Sequence, residues 1–123
     1  MIRQDLHIHT RLSLCSGDPL QTPSNILAKA RKLGLDQICL TDHFWDGSMP
    51  GASDWYARQD LGHIRESLAE IPEDTGGVEL FFGCETEYLG GERIGISREA
   101  AAGFDFILVP ISQLVLLAQA IGQ

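Results

Sequence analysis

Short apolar or alternating runs recur along the chain and are separated by polar loops and by stretches with helical spacing. Runs of this length that are rich in β-branched and aromatic residues predict strands. The four predicted strands cover residues 2–9, 36–41, 78–84 and 104–109. Because strands alternate with helices, the pattern predicts a parallel sheet built of right-handed β/α units.

The first predicted helix has clear start and stop signals. Thr22 is a suitable N-cap, Pro23 follows at the first helical position, and Gly34 is a suitable C-terminal stop. The residues expected on its buried side are Ile26, Leu27, Ala30 and Leu33.

The second predicted helix begins at Asp54 and ends at Pro72. Its apolar residues recur at helical spacing and predict one buried stripe. The residues of this stripe are Leu61, Ile64, Leu68 and Ile71. A short helical turn is expected over residues 98–102, and the tail from Gln113 also has helical character.

Length and charge restrict the class of protein. The chain has 123 residues, which suits a single domain over residues 1–123. The net charge of −8 disfavours a free-standing nucleic-acid binder, because an acidic surface repels phosphate backbones. Bound cations would still allow an acidic protein to reach a phosphate group, since a metal ion dominates the field around it.

The cysteine content and the apolar segments bear on the compartment. Three cysteines are an odd number, which argues against a complete disulfide framework. No signal peptide opens the chain, and no apolar run is long enough to cross a membrane. These features predict a cytoplasmic protein in a reducing environment.

Candidate ligands for a metal ion stand at the ends of three predicted strands. His7 and His9 close the first strand, His43 follows the second, and Glu85 follows the third. Because functional groups in parallel sheets gather at the carboxyl ends of the strands, these side chains are expected to meet at one rim. Imidazole nitrogens and carboxylate oxygens are suitable ligands for a divalent metal. The alternative is a set of exposed polar residues at strand ends.

Four further residues near these ligands are candidates for supporting roles. Asp5 is expected on the same strand face as the two histidines of the first strand, and Asp42 is expected to orient a neighbouring ligand. Cys15 is either a half-exposed loop residue or a thiolate ligand. Arg11 is either a phosphate contact or an ordinary surface arginine.

Ordered motifs in the first 85 residues resemble those of the PHP domain family, named for its members in DNA polymerases and histidinol phosphatases. The segments that carry the resemblance are Asp5-Leu6-His7-Ile8-His9-Thr10, Ser13-Leu14-Cys15-Ser16-Gly17-Asp18, Thr41-Asp42-His43 and Gly83-Cys84-Glu85. The resemblance implies a distorted (β/α)7 TIM-like barrel, of which this chain supplies about the first four β/α units.

The resemblance also implies a centre of two or three divalent ions, with zinc or manganese expected. His7 and His9 would hold one ion, and Glu85 would bridge it to a second. His43 would belong to a third position, to which the loop around Cys15 contributes. Family members often have histidine at the position of Cys15, so the cysteine is a departure from the pattern.

A larger departure follows the fourth strand. The family places a histidine just after that strand, where this chain has Ser112 and Gln113, and no histidine follows His63. The chain is therefore expected to be a PHP-like domain that is incomplete at its carboxyl end. A half barrel leaves open sheet edges, which a homo-oligomer or a partner chain would cover.

These observations favour a metal-dependent phosphoesterase that resembles histidinol phosphatases. It would hydrolyse a small phosphorylated substrate with metal-activated water. No nucleotide-binding glycine motif is present to support cofactor chemistry. The alternatives are a non-catalytic metal-binding or interaction module, an inactive fragment of such a hydrolase, or an amidohydrolase, whose motifs fit less well.

Overall fold

A computed structural model describes residues 1–110 as an α/β structure. The predicted helical tail lies outside the described residues. In chain order the elements are β1 (Gln4–Ile8), α1 (Pro23–Leu33), β2 (Gln37–His43), α2 (Asp54–Ala57), α3 (Leu61–Ala69), β3 (Glu79–Glu85), β4 (Tyr88–Gly90), β5 (Arg93–Ile94), α4 (Arg98–Ala101) and β6 (Phe106–Leu108).

The main sheet follows the order of the chain. Its strands run β1-β2-β3-β6, all parallel, and the sheet curls into half of a barrel. This arrangement confirms the predicted fold class. Strands β2 and β3 pair without a shift, so His43 stands directly opposite Glu85. The carboxyl ends of successive strands therefore form one rim.

The pairing of β1 with β2 contains an irregularity that changes which side chains share a face. Asp5 pairs with Ile38, whereas Ile8 pairs with Leu40, so β1 has one residue more than β2 between these pairs. A bulge of this kind reverses the alternation of side chains. Asp5 consequently lines the same cavity as Ile8 and Ile38, on the α1 side of the sheet. The prediction that Asp5 shares a face with His7 is wrong.

Helix α1 forms as its end signals predict. The Thr22 side chain accepts a hydrogen bond from the backbone N–H of Asn25, and Pro23 occupies the first turn. Gly34 ends the helix with φ of 71°, a left-handed conformation that glycine adopts without steric cost. The helix packs on the sheet through one hydrophobic cluster of Ile26, Leu27, Ala30, Ile38, Leu40 and Val78.

The second predicted helix is two helices. Ser53 caps α2 and Asp60 caps α3, whereas a single helix start was expected at Asp54. The predicted apolar stripe is also wrong in part, because Leu61 and Leu68 are 47% and 50% exposed. On α3 the buried residues are Ile64 and the polar Ser67.

A second hydrophobic cluster lies under β3, α3 and α4. It is formed by Phe44, Ile64, Cys84 and Ile96. On the opposite face of β3, a Cβ atom at Gly83 would stand 2.6 Å from the carbonyl oxygen of Phe106 and 2.9 Å from the Cys39 Sγ. The glycine therefore allows β6 to approach the sheet closely.

Three smaller observations complete the fold. The antiparallel hairpin of β4 and β5 was not predicted from the sequence. All three cysteines are free thiols. None of the helices within residues 1–110 is long and apolar enough to span a bilayer.

Candidate metal centre

The structure brings the four predicted ligands together around one carboxylate. Glu85 Oε1 lies 2.7 Å from His7 Nε2 and 3.5 Å from His9 Nε2. Glu85 Oε2 lies 3.0 Å from His43 Nδ1. Because β1, β2 and β3 end at the same rim, the three imidazoles and the carboxylate converge although they come from distant parts of the sequence.

Two groups of donor atoms are close enough to hold an ion. One consists of His7, His9 and Glu85, and the other of His9, Cys15 and His43; within each group the ligand atoms lie within 4.8 Å of one another. His9 belongs to both groups, and its Nδ1 lies 3.0 Å from the Cys15 Sγ. Cys15 is therefore close enough to the other donors to act as a thiolate ligand, which is one of the two roles expected for it.

The centre is closed on the inner side and open toward solvent. Glu85 and His43 are 7% and 8% exposed, respectively. The His7 side chain is 56% exposed, and Cys15 is also exposed. A small solute therefore has access to the His7 imidazole and to the Cys15 thiol, while the protein interior supports His43 and Glu85.

The imidazoles keep Glu85 ionised. Burial by itself raises the pKa of Glu85, but the hydrogen bond from His43 and the charges of His43 and His9 lower it well below the usual range. The pKa of the Cys15 thiol is raised, chiefly by burial and also by the charge of Glu85. Glu85 is therefore a ready anionic ligand, whereas Cys15 must release a proton to bind a metal.

The donor set fits a divalent transition metal. The Nε2 atom of His9 is buried and has no hydrogen-bond partner among the described residues. An unpaired buried nitrogen is costly, and an ion bound to its lone pair would satisfy it. Nitrogen, oxygen and sulfur donors in one cluster suit zinc, and the nitrogen and oxygen donors alone also suit manganese.

Asp42 supports the rim from the opposite face of β2. It is 2% exposed and accepts hydrogen bonds from Thr10 N (2.6 Å), Thr10 Oγ1 (2.6 Å), Ser13 Oγ (2.9 Å) and Ser67 Oγ (2.8 Å). Ser13 Oγ in turn accepts a bond from the backbone N–H of His43. Asp42 therefore fixes the loop after β1 and acts on His43 only through Ser13.

Comparison with known proteins agrees with this architecture. Residues 5–121 match the PHP domain. The chain belongs to the PHP domain family. A protein of Syntrophotalea carbinolica named probable phosphatase is 34% identical over 104 residues, which cover 85% of this chain and 38% of that protein. A probable phosphatase of Caldicellulosiruptor bescii is 29% identical over 114 residues, which cover 91% of this chain and 42% of that protein.

The chain therefore spans about two fifths of the length of these relatives, 38% and 42% respectively. No solved structure matches it significantly.

Arg11 of this PHP domain forms an ion pair with Glu70. Its guanidinium pairs with Glu70 Oε1, just beyond the end of α3, and both side chains are partly buried. A contact between Arg11 and a phosphate group, one of the two roles expected for this residue, would require this ion pair to open.

The aromatic surroundings of His43 were not predicted from the sequence. Tyr56 Oη lies 2.9 Å from His43 Nδ1, and the Trp55 ring packs at 4.9 Å between centroids. Burial, followed by the charge of Glu85, raises the pKa of Tyr56, so the phenol keeps its proton at neutral pH. Both residues belong to the short helix α2. The start of this helix is marked in the sequence by Ser53, a residue type that is favoured at the N-cap.

Proposed function

We propose that this PHP domain hydrolyses phosphate monoesters with divalent ions held by His7, His9, His43 and Glu85. Cys15 is an additional ligand in this proposal. The observation that carries it is the convergence of three imidazoles on the two oxygens of Glu85, at 2.7 Å, 3.5 Å and 3.0 Å. Metal-dependent phosphatase chemistry fits this donor set better than nucleophilic catalysis by a side chain.

Glu85 and Asp42 have different roles in this proposal. Ionised Glu85 presents Oε1 toward His7 and His9 and Oε2 toward His43, so one carboxylate joins the two sides of the centre. Divalent ions, when bound there, polarise a phosphoryl oxygen and lower the pKa of water. Asp42 keeps the loop after β1 in place by its hydrogen bonds to Thr10 and Ser13.

Charge makes substrate binding depend on the ions. The chain carries a net charge of −8, and one of its carboxylates, Glu85, lies at the centre itself. A phosphate dianion is repelled by both unless cations are present. The metal-free protein is therefore expected to bind phosphate monoesters weakly.

The ligand types favour zinc over manganese as the resident ion. The Cys15 thiolate is a soft donor, which zinc accepts and manganese does not favour. The three imidazoles suit either metal.

The substrate class follows from the family and from the exposed side of the centre. The relatives from Syntrophotalea carbinolica and Caldicellulosiruptor bescii are named probable phosphatases. His7 and Cys15 face solvent, which gives a small phosphorylated molecule access. Histidinol phosphate is the specific substrate to test first, because the resemblance to histidinol phosphatases suggests it.

A direct test measures phosphate release from p-nitrophenyl phosphate and histidinol phosphate with Zn²⁺ or Mn²⁺, before and after chelation. Glu85→Gln removes the central anion, and Glu87→Gln is the matched control because Glu87 is an exposed glutamate two residues later. The proposal expects turnover that chelation and Glu85→Gln abolish and that Glu87→Gln leaves intact. Activity that persists after chelation would reject it.

A non-catalytic metal-binding module is the second candidate. The observation that favours it lies at β6, where Leu108, Val109 and Pro110 contribute no metal donor at the rim. Among the described residues, the ligands thus come from one side of the centre. This candidate predicts stoichiometric ion binding without turnover of either phosphate ester. Within residues 1–110, β1 and β6 are the edge strands of the main sheet. Their coverage by a second copy or a partner chain stays a prediction, which native mass spectrometry tests.

A further inference from the structure

His43 has two oxygen atoms beside the same ring nitrogen. Its Nδ1 lies 2.9 Å from Tyr56 Oη and 3.0 Å from Glu85 Oε2. An ionised carboxylate can only accept a hydrogen bond, so Nδ1 must carry the proton. In a neutral imidazole the other nitrogen, Nε2, then has the free lone pair.

Tyr56 is held firmly enough to act as a fixed partner. The residue is 4% exposed, and its backbone N–H donates to Ser53 Oγ at the start of α2. Its ring packs against Trp45 and Trp55, with centroids 5.5 Å and 5.0 Å away. The phenol oxygen therefore has little freedom to move away from His43.

The backbone of His43 is fixed independently of its ring. The His43 N–H donates to Ser13 Oγ, which donates to Asp42. These hydrogen bonds fix the backbone of His43 in β2, but none of them involves the imidazole ring. The polar contacts of the imidazole Nδ1 are with Tyr56 and Glu85.

We propose that Tyr56 is a positioning residue that keeps the proton of His43 on Nδ1 and so presents Nε2 to a metal ion. The proposal rests on the metal centre of the proposed function. Glu85 cannot serve this purpose alone, because its oxygens are also ligands in that centre. In this role Tyr56 is not a metal ligand and acts only through His43. Partners of this kind commonly change metal affinity about 10–100-fold.

The two tyrosines of the chain provide a matched experiment. Tyr56→Phe removes the phenol oxygen at His43 and keeps the packed ring. Tyr88→Phe removes a phenol oxygen that donates to the carbonyl of Gly91 in the hairpin of β4 and β5. Zinc affinity, measured by competition with a chelator, is expected to fall about 10–100-fold in Tyr56→Phe and to stay within about threefold of wild type in Tyr88→Phe.

A second readout separates positioning from simple packing. In zinc-loaded wild-type protein, NMR should show the His43 Nδ1 proton as a slowly exchanging signal, and Tyr56→Phe should lose that signal. Equal zinc affinity in wild type and Tyr56→Phe, or a lower melting temperature with unchanged affinity, would overturn the role of Tyr56. Failure of the wild-type protein to bind zinc would instead overturn the metal centre of the proposed function.

Discussion

Two buried carboxylates stand at the same rim of the sheet and have different partners. Asp42 is 2% exposed and accepts hydrogen bonds from the backbone of Thr10 and from the hydroxyls of Thr10, Ser13 and Ser67. Glu85 is 7% exposed, and its neighbours are imidazole nitrogens. The hydroxyl and amide donors around Asp42 occupy its oxygens with hydrogen bonds. The imidazoles around Glu85 are themselves suitable metal ligands.

The face of the sheet decides this difference. Asp42 lies on the same face of β2 as Ile38 and Leu40, so it points toward the helices, where Ser67 of α3 donates a hydrogen bond to it. Glu85 pairs with His43 across β2 and β3, on the inner face. The same rim therefore combines a carboxylate that stabilises the fold with one that is available for chemistry.

The largest expected effect on stability is at Asp42. Asp42→Ala leaves several buried donors, on Thr10, Ser13 and Ser67, without their acceptor. Since each unsatisfied buried group costs about 1–3 kcal/mol, the free energy of unfolding should fall by about 3 kcal/mol or more. Urea denaturation measures this loss. Asp74→Ala, which removes an exposed acceptor for the Gly76 N–H, is the control. Equal losses in both variants would contradict the stabilising role of Asp42.

A smaller effect is expected when the ligand set around Glu85 changes. Cys15→Ser replaces the thiol near His9 by a harder oxygen donor. Zinc affinity should fall about 10-fold, while manganese affinity stays unchanged, because softness of the donor separates the two metals. Isothermal titration with each metal measures the ratio. If both affinities remain unchanged, Cys15 is an ordinary loop residue.

The smallest effect concerns a third carboxylate, which is nearer to solvent. Asp46 accepts hydrogen bonds from Ser48 and Ser97, and the Ser97 contact is the main reason that its pKa is lowered to about 2. Because the folded-state pKa lies below the unfolded value, its stabilising contribution is complete above about pH 4 and is lost as the pH falls through about 2. The stability difference between wild type and Asp46→Asn should shrink over this range. A difference that does not depend on pH would contradict the assignment.

The sequence predicted the parts of this architecture that depend on periodicity. Strand ends follow from apolar runs, so the rim with His7, His9, His43 and Glu85 was expected, and the structure brings these residues together. The helix caps at Thr22 and Gly34 follow from local hydrogen bonding and are confirmed.

Other features depend on contacts between distant segments, for which a single sequence has no pattern. The bulge in β1 reversed the face of Asp5, because one extra residue in a strand leaves no signal in composition. The bonds of Asp42 join residues that come from three separate segments. The contact of Tyr56 with His43 depends on the break between α2 and α3, which the apolar spacing concealed.

The central claim is that Glu85 and its imidazole neighbours bind a divalent ion. The most direct test is elemental analysis of purified wild-type protein and Glu85→Gln after both are exposed to zinc and manganese and dialysed. We expect at least one ion per wild-type chain and a large loss of metal in Glu85→Gln. Absence of metal from the wild-type protein, or equal metal content in the two proteins, would contradict the account.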